Sequence, residues 1–351
     1  MEICFQRASI TIPMQTNNQE TDVASLSSND LRPLTPRECL EGEQEKVMLR
    51  ALQLSSLIEP KRVAHAEVLQ ELYAFFPTVQ EKFSETVRLN STKTNHLVKL
   101  SSAIDRAKLM DHLLNPQIAS ACSDLLRDVN AEKIPEKVGN LTEIWKELSD
   151  LIEKFDKNDL SQYASALEKY TTLYQWITDI VSSLESYVGI DTDNHMRVDF
   201  KKIENALNAI LKKYKPPTNN VLIAGKTPSN GMESSEAVDA CKRLGLDPLE
   251  CIHANKDGTF CIIPDLSQIK KQIANLPKNG DGVVEDNRRL SIVAYNAWKS
   301  GFDSQVSRIE DSLQTRGQKY SNAYGRFESS HKTISAIIQS MTEMLRSFLQ
   351  F

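Results

Sequence analysis

The sequence predicts a mainly α-helical protein: a long antiparallel intramolecular coiled coil with an N-terminal helical hairpin or bundle and a small α/β insertion domain. In two distant stretches, 139–187 and 289–351, apolar residues recur at intervals of three and four residues, which is typical of a coiled-coil seam. Glycine is scarce, at 12 of 351 residues, and this scarcity favours long helices over a sheet-rich enzyme fold. The segment between the seams, 188–288, instead combines short helix and hairpin patterns.

Residues 1–40 form a polar N-terminal segment that we expect to be disordered and to act in export. The segment is rich in Ser, Thr, Asn and Gln, a composition that buries too little apolar surface to fold. It lacks the basic start and the apolar core of a Sec signal peptide. A disordered tail is the simpler interpretation, and an uncleaved signal for another secretion route is the alternative.

Residues 41–130 carry short amphipathic patterns that predict a helical hairpin or small bundle. Proline removes a backbone donor and clashes with the preceding turn, so it usually ends or kinks a helix. On this basis Pro60 is predicted to stop the first segment, Pro77 to kink the second and Pro116 to open the last.

The two seams are long enough to need a partner helix of similar length. In the first seam the apolar positions are Ile144, Leu148, Leu151, Phe155, Leu160, Tyr163, Leu167, Tyr170, Tyr174, Ile177, Val181 and Leu184. In the second they are Trp298, Phe302, Val306, Ile309, Leu313, Tyr320, Phe327, Ile334, Ile337, Ile338, Met341, Leu345 and Phe348. Burial worth about 1.5–3 kcal/mol per large side chain is ample to drive their association. The simplest arrangement is one antiparallel intramolecular coiled coil, and a homodimeric coiled coil is the competing one.

Residues 188–288 are predicted to form a compact α/β insertion at one end of the coiled coil. An amphipathic helix comes first, and the apolar run at 220–225 is a possible strand. Alternating residues on both sides of Gly258 predict a β-hairpin. Further helices are expected before Gly245 and after Asp265.

The sequence contains no recognisable pattern of an enzyme or a metal site. It lacks phosphate-binding glycine loops, nucleophile elbows and zinc-protease motifs, and its six histidines are far apart. A calcium-like stretch at 191–202 has Met196 where the sharp turn needs glycine and Lys202 where a bidentate Glu belongs. Cys251 and Cys261 flank the predicted hairpin, where two buried thiols are favoured over a cross-strand disulfide. We therefore expect neither catalysis nor a resident cofactor.

Charge and hydropathy argue against two further classes of protein. The net charge is −5 and the 42 basic residues are spread along the chain, so nucleic acid is not an expected partner. No apolar run approaches the roughly 18 residues that a membrane-spanning helix needs. We therefore expect no direct membrane span.

Five short motifs carry a resemblance to a known family. They are YTTLYQWITDIVSSLESYV at 170–188, NGDGVVEDN at 279–287, YNAWKSGF at 295–302, QKYSNAYGRF at 318–327 and the final FLQF. The chain resembles the IpaD/SipD/BipD tip proteins of bacterial type III secretion, well over about 140–351 and more weakly over 41–130. Cys241, Cys251 and Cys261 depart from the family pattern.

The resemblance implies a secreted virulence protein that acts at the bacterial surface during host-cell invasion. Such proteins are cytoplasmic before export, pass through the secretion needle and cap it as a self-oligomer, which we expect to be a pentamer. They control effector secretion and serve as the platform on which hydrophobic translocator proteins assemble. The resemblance also implies that the N-terminal hairpin is a self-chaperone, and that a bile salt is a possible ligand.

The apolar C-terminal stripe is the expected docking surface for the needle subunit. Needle subunits are themselves helical hairpins, so a subunit that replaces the N-terminal hairpin would use the same groove geometry. The candidate residues are Tyr320, Asn322, Leu345, Phe348, Leu349 and Phe351. The alternative is that these residues are ordinary intramolecular core.

A second candidate site would take a bile-salt-like ligand in an apolar groove with a few polar groups. It is predicted where the insertion meets Tyr170, Tyr174 and Phe302. No other small molecule is suggested by the sequence.

Three other functions compete with the tip-protein interpretation. A cytosolic helical scaffold or secretion chaperone would stay inside the cell and would not need residues 1–40. A pore-forming translocator would carry long apolar helices, and this sequence has none. An enzyme hidden in the insertion would be revealed by an unexpected metal.

Overall fold

A computed structural model describes the chain at residues 36–76, 89–131, 160–191, 195–216, 218–225, 227 and 229–349. The chain divides into two compact units, Met1–Gly42 and Glu43–Phe351, and all packing described below lies within the second. The helices are α1 Pro36–Phe75, α2 Leu89–Ala131, α3 Leu160–Tyr187, α4 Phe200–Lys213, α5 Ser234–Leu244, α6 Pro248–Cys251, α7 Ser267–Ala274 and α8 Ile292–Leu349. The strands are β1 Val188–Ile190, β2 His195–Val198, β3 Ile252–Ala254, β4 Phe260–Ile262 and β5 Arg288–Ser291.

Helices α3 and α8 pack side by side in opposite directions. The Tyr174 hydroxyl donates to Glu310 Oε2 at 2.9 Å, and the Tyr170 ring centroid lies 5.5 Å from the guanidinium carbon of Arg316. Residue numbers that rise along α3 therefore fall along α8. The predicted antiparallel intramolecular coiled coil is confirmed for this part of the seam, while residues 139–159 lie outside the described residues.

Helices α1 and α2 form the predicted N-terminal hairpin and complete a four-helix bundle. Within the hairpin Arg50 pairs with Asp124 at 3.9 Å and Lys61 pairs with Asp111 at 2.9 Å, so the two helices are antiparallel. An ion pair joins Lys108 of α2 to Glu168 of α3. Apolar side chains from all four helices fill one core, among them Leu54, Ile58, Leu100, Ile104, Leu167, Leu173, Leu313 and Phe327.

Two proline predictions are wrong, because the structure keeps both helices continuous. Pro60 was expected to end a helix but lies inside α1. Pro116 was expected to begin a helix but lies inside α2. An interior proline costs a helix about 3 kcal/mol. Here the flanking residues Ile58 and Ile118 are buried in the bundle, and this tertiary packing outweighs the local penalty. α1 ends at Phe75, two residues before Pro77, which itself lies outside the described residues.

The described residues of the insertion form two small antiparallel sheets and four short helices. One sheet has the order β1–β2–β5, and the other is the predicted β3–β4 hairpin, whose turn places Gly258 at φ +79°. The predicted strand at 220–225 is not formed: Val221 and Leu222 are buried, and a backbone bond from the Leu222 amide to the Ile262 carbonyl at 2.7 Å attaches the segment to β4.

Cys241, Cys251 and Cys261 are free, buried thiols, which confirms the prediction of thiols over a disulfide. In the hairpin register Cys261 faces His253, and the Cys251 carbonyl accepts from the Ile263 amide, so the two cysteines are not directly opposed. Burial, reinforced by nearby Asp247, raises the pKa of Cys241 to about 11. Burial also raises the pKa of Cys251 to about 12.

Removing a seam side chain should destabilise the bundle strongly. Leu313 is fully buried on α8, so Leu313→Ala should lower the free energy of unfolding by about 2–5 kcal/mol through lost burial and a residual cavity. The matched control Val293→Ala removes a side chain that is 79% exposed on the same helix, and should change it by under about 0.5 kcal/mol. Urea titration followed by circular dichroism measures both. Similar losses for the two variants would contradict the seam assignment.

The insertion thiols should resist alkylation while the protein is folded. Because burial raises the pKa of Cys241 and Cys251, few of these thiols are ionised at pH 8, and the thiolate is the reactive form. Iodoacetamide labelling read by peptide mass spectrometry should leave both residues unmodified until denaturant is added. Rapid labelling of either residue in the native protein would contradict the buried placement.

Candidate partner-binding interface

The hairpin contacts the coiled coil through a buried polar cluster. His65 of α1 is 0% exposed, and its Nδ1 lies 2.7 Å from the hydroxyl of Tyr320 on α8, which is also 0% exposed. The opposite ring nitrogen of His65, Nε2, donates to Asp111 Oδ1 of α2 at 3.0 Å. One histidine therefore links both hairpin helices to α8.

Lys61 supplies the positive charge that the Asp111 carboxylate needs in this interior. Its ammonium lies 2.9 Å from Asp111 Oδ1, donates to Asn115 Oδ1 at 2.6 Å and lies 5.7 Å from the centre of the Phe327 ring. Burial favours the protonated form of Asp111, but the bond from His65 and the charge of Lys61 outweigh it and lower the pKa of this carboxyl. Asp111 is therefore a carboxylate at neutral pH, held by two neighbours.

Further contacts extend this interface along α8. The Tyr73 hydroxyl lies 2.8 Å from the Ser321 hydroxyl, and the Tyr324 hydroxyl donates to the Arg62 carbonyl at 3.5 Å. Arg62 also lies 3.9 Å from Glu328. Since Tyr320, Tyr324 and Phe327 recur on one helical face, α1 covers a continuous stripe of α8.

The structure describes the side chains of only two of the predicted docking residues. Tyr320 is buried in the polar cluster, whereas Asn322 is exposed and its Oδ1 accepts from Gln318 Nε2 at 3.1 Å. Leu345, Phe348 and Leu349 lie on the last turns of α8, and the structure does not describe their side chains. Phe351 lies outside the described residues. Contact of these residues with a needle subunit stays a prediction.

Of the three residues predicted for a bile-salt-like ligand, Tyr170 and Phe302 contact the insertion, whereas Tyr174 contacts Phe75 of α1 and Glu310 of α8. All three are closely packed. Tyr170, Tyr174 and Phe302 are 1%, 5% and 3% exposed. The Asp265 amide donates to the Tyr170 hydroxyl at 3.1 Å, and Gln272 Nε2 donates to the Phe302 carbonyl at 3.4 Å. Burial raises the pKa of both tyrosines, so they stay protonated at neutral pH.

Sequence reasoning missed the polar cluster, although a signal for it exists. Lys61 and His65 are four residues apart, as are Asp111 and Asn115, and residues four apart share a helix face. The distances in sequence between the six histidines do not show this pairing, because His65 and its partner Asp111 come from different helices.

Metal centres and membrane spans are two further classes of site. Within the described ranges, no group of three or more His, Cys, Asp or Glu residues is placed to hold a metal ion. None of the helices that the structure describes is both long and apolar enough to cross a membrane.

Sequence comparison identifies relatives with a common role. A family model described as "Type III secretion systems tip complex components" matches residues 87–349. Cell invasion protein SipD of Salmonella typhi is 28% identical over 212 residues, which span 59% of this chain and 61% of SipD. Invasin IpaD of Shigella dysenteriae is 29% identical over 219 residues, which span 60% of each chain. The chain thus matches about three fifths of the length of these relatives. Translocator protein BipD of Burkholderia mallei is a further sequence relative, 27% identical over 197 residues, which span 55% of this chain and 54% of that protein.

Structural comparison gives the same fold. A near-atomic structure of BipD from Burkholderia pseudomallei superposes with a TM-score of 0.53 and 18% identity, covering 83% of this chain and 98% of BipD. The family model covers about three quarters of the sequence, and so this chain belongs to the family of type III secretion system tip complex components.

Proposed function

We propose that this protein is exported by a type III secretion system and caps the secretion needle. There it controls effector secretion and supports the assembly of hydrophobic translocator proteins, as a self-oligomer that we expect to be a pentamer. The observation that carries the proposal is the match of the tip-component family model to residues 87–349. The part it plays is structural, without catalysis or a resident cofactor.

The geometry suggests how the docking surface is kept covered before export. Tyr320, a predicted docking residue, is buried by His65 and faces the hairpin. We propose that the hairpin is a self-chaperone and that the helical hairpin of a needle subunit takes its place on α8. A buried charge cluster suits such a cover, because it stabilises the docked hairpin only while all partners are present.

A bile salt stays a possible ligand in this proposal. Because Tyr170, Tyr174 and Phe302 are almost fully buried, binding beside them requires the elements that cover them to separate. Calorimetry with deoxycholate, which would show no heat if the ligand does not bind, is the direct measurement.

The tip assignment predicts where the protein is found. Immunolabelling of bacteria that express this chain should place it at needle ends, and a cytosolic scaffold or chaperone would remain inside the cell. Removing residues 2–20 should abolish its appearance in the culture supernatant if this segment acts in export. A full-length protein that is absent from both the supernatant and the needles would refute the proposal.

The C-terminal turns should be required for needle docking but not for folding. Deleting residues 347–351 removes Phe348, Leu349 and Phe351, so the truncated protein should be folded and secreted but absent from needle ends. Immunogold counts on needles, with supernatant blots as the control for export, measure the effect. Normal capping by the truncated protein would rule out this docking surface.

Removing Asp111 should release the hairpin. Asp111→Ala leaves Lys61 and His65 buried without their carboxylate, and should lower the free energy of unfolding by about 3–5 kcal/mol. The control Asp105→Ala removes an exposed carboxylate from the same helix and should cost under about 0.5 kcal/mol. Hydrogen exchange should show faster opening of α1 and α2 in the first variant only.

The pH dependence of this effect has a definite sign. Since the pKa of Asp111 is lowered from 3.8 in the folded state, its stabilising contribution is present above that pH. The contribution is lost as the pH falls through the folded-state pKa. The difference in stability between the wild type and Asp111→Ala should therefore be constant near neutrality and shrink below pH 3.8. A difference that does not change with acidification would contradict the ionised cluster.

A further inference from the structure

A pocket in the insertion has a composition unlike that of the whole molecule. Its volume is about 580 Å³, within the roughly 300–1,000 Å³ that is typical of small-molecule sites. All of its lining residues belong to the insertion, on α4, the turn after it, β3, the connection from β4 to α7, and α7 itself. The pocket is therefore separate from the hairpin interface and from the predicted docking residues.

The pocket is positively charged although the chain is acidic overall. Three lysines line it, Lys212, Lys215 and Lys270, and the lining includes no Asp or Glu. The whole chain has 47 acidic and 42 basic residues. Within the described part of the chain, none of the three lysines forms an ion pair. Uncompensated ammonium groups around one cavity favour an anionic ligand.

One wall of the pocket offers carboxamide groups as well. Asn205 and Asn208 lie on the same face of α4, three residues apart, with Lys212 one turn further. Neither side chain makes a hydrogen bond to another described residue. A carboxamide both donates and accepts, which is the capacity that matches the hydroxyl groups of a sugar.

The lining also includes apolar side chains that are firmly packed. Ile263 and Leu266 are 3% and 6% exposed, so the core of the insertion holds them in place and they present only their edges to the cavity, beside the half-buried Leu211. Apolar contacts together with free amides and ammonium groups suit a compact ligand that has one apolar face and several polar edges.

We propose that this pocket binds an acidic sugar, that is, a small polyhydroxylated ligand carrying a carboxylate or a phosphate. The lysines would bind the anionic group, Asn205 and Asn208 the hydroxyls, and Ile263 with Leu266 the apolar face of the ring. This inference is independent of needle capping. A protein that caps needles but binds no sugar would refute the sugar proposal and leave the proposed function unaffected.

The test uses full-length protein and four probes in saturation-transfer NMR and calorimetry. N-acetylneuraminic acid carries a carboxylate, glucose 6-phosphate carries a phosphate, glucose is neutral, and 2-naphthalenesulfonate is an apolar anion. At least one acidic sugar should bind, glucose should not, and added salt should weaken binding. Whichever acidic sugar binds identifies the anionic group that the pocket prefers.

Variants locate the binding at this pocket. Lys212→Gln and Lys270→Gln should each weaken the acidic sugar about fivefold, since each removes one partly exposed ionic contact. Asn208→Asp is nearly isosteric but adds a negative charge, and should weaken binding about tenfold or more. Lys99→Gln removes an exposed lysine of α2, outside the pocket, and should leave affinity unchanged. Circular dichroism and urea titration confirm that each variant is folded.

Four outcomes would overturn the proposal. The first is that neither acidic sugar binds, and the second is that glucose binds as well as they do. The third is that only naphthalenesulfonate binds, which would make the pocket a site for apolar anions. Binding that the Lys212 and Lys270 substitutions leave unchanged would place the ligand elsewhere and would equally refute the assignment.

Discussion

The structure depends on the burial of two apolar seams that lie more than a hundred residues apart in sequence. Leu167 and Ile177 of α3 and Ile309 and Leu313 of α8 are at most 2% exposed, so each seam removes the other from water. Neither long helix is able to bury such a stripe alone, and the chain must return to close the pair. The insertion is placed by this return, because its first strand follows α3 directly and its last strand precedes α8.

The second constraint is that α8 presents apolar surface on more than one side. The hairpin covers the face that carries Tyr320 and Phe327, and the contact contains buried charged side chains as well as apolar ones. Lys61, His65 and Asp111 are nearly free of solvent, so their mutual geometry must be kept for the charges to remain tolerable. Such an interface is stable when complete and weak when one member is displaced, and this property supports the proposal that the hairpin is a removable cover.

The two candidate binding regions differ in polarity and in accessibility to a ligand. The α8 face is apolar and covered, so a partner gains access only by competing with α1 and α2. The insertion pocket is open and cationic, with Lys212, Lys215 and Lys270 unpaired among the described residues, so a small anion needs no rearrangement to enter. The proposal that a needle subunit binds the first region rests on membership of the tip-component family.

The sequence by itself determined the helical class, the two seams, the β3–β4 hairpin and the family, because periodicity and motifs are local properties of the chain. Only the tertiary structure decided that α1 and α2 continue through Pro60 and Pro116, since burial in the bundle outweighs a local proline penalty. The β1–β2–β5 sheet escaped prediction because no glycine marks a turn between β1 and β2, and because nearly the whole insertion separates β2 from β5 in sequence. The contact of His65 with Asp111 and Tyr320 was likewise decided by the fold, because three helices contribute one residue each. Spacing along the chain places polar residues on one face of each helix, but it does not show that those faces meet.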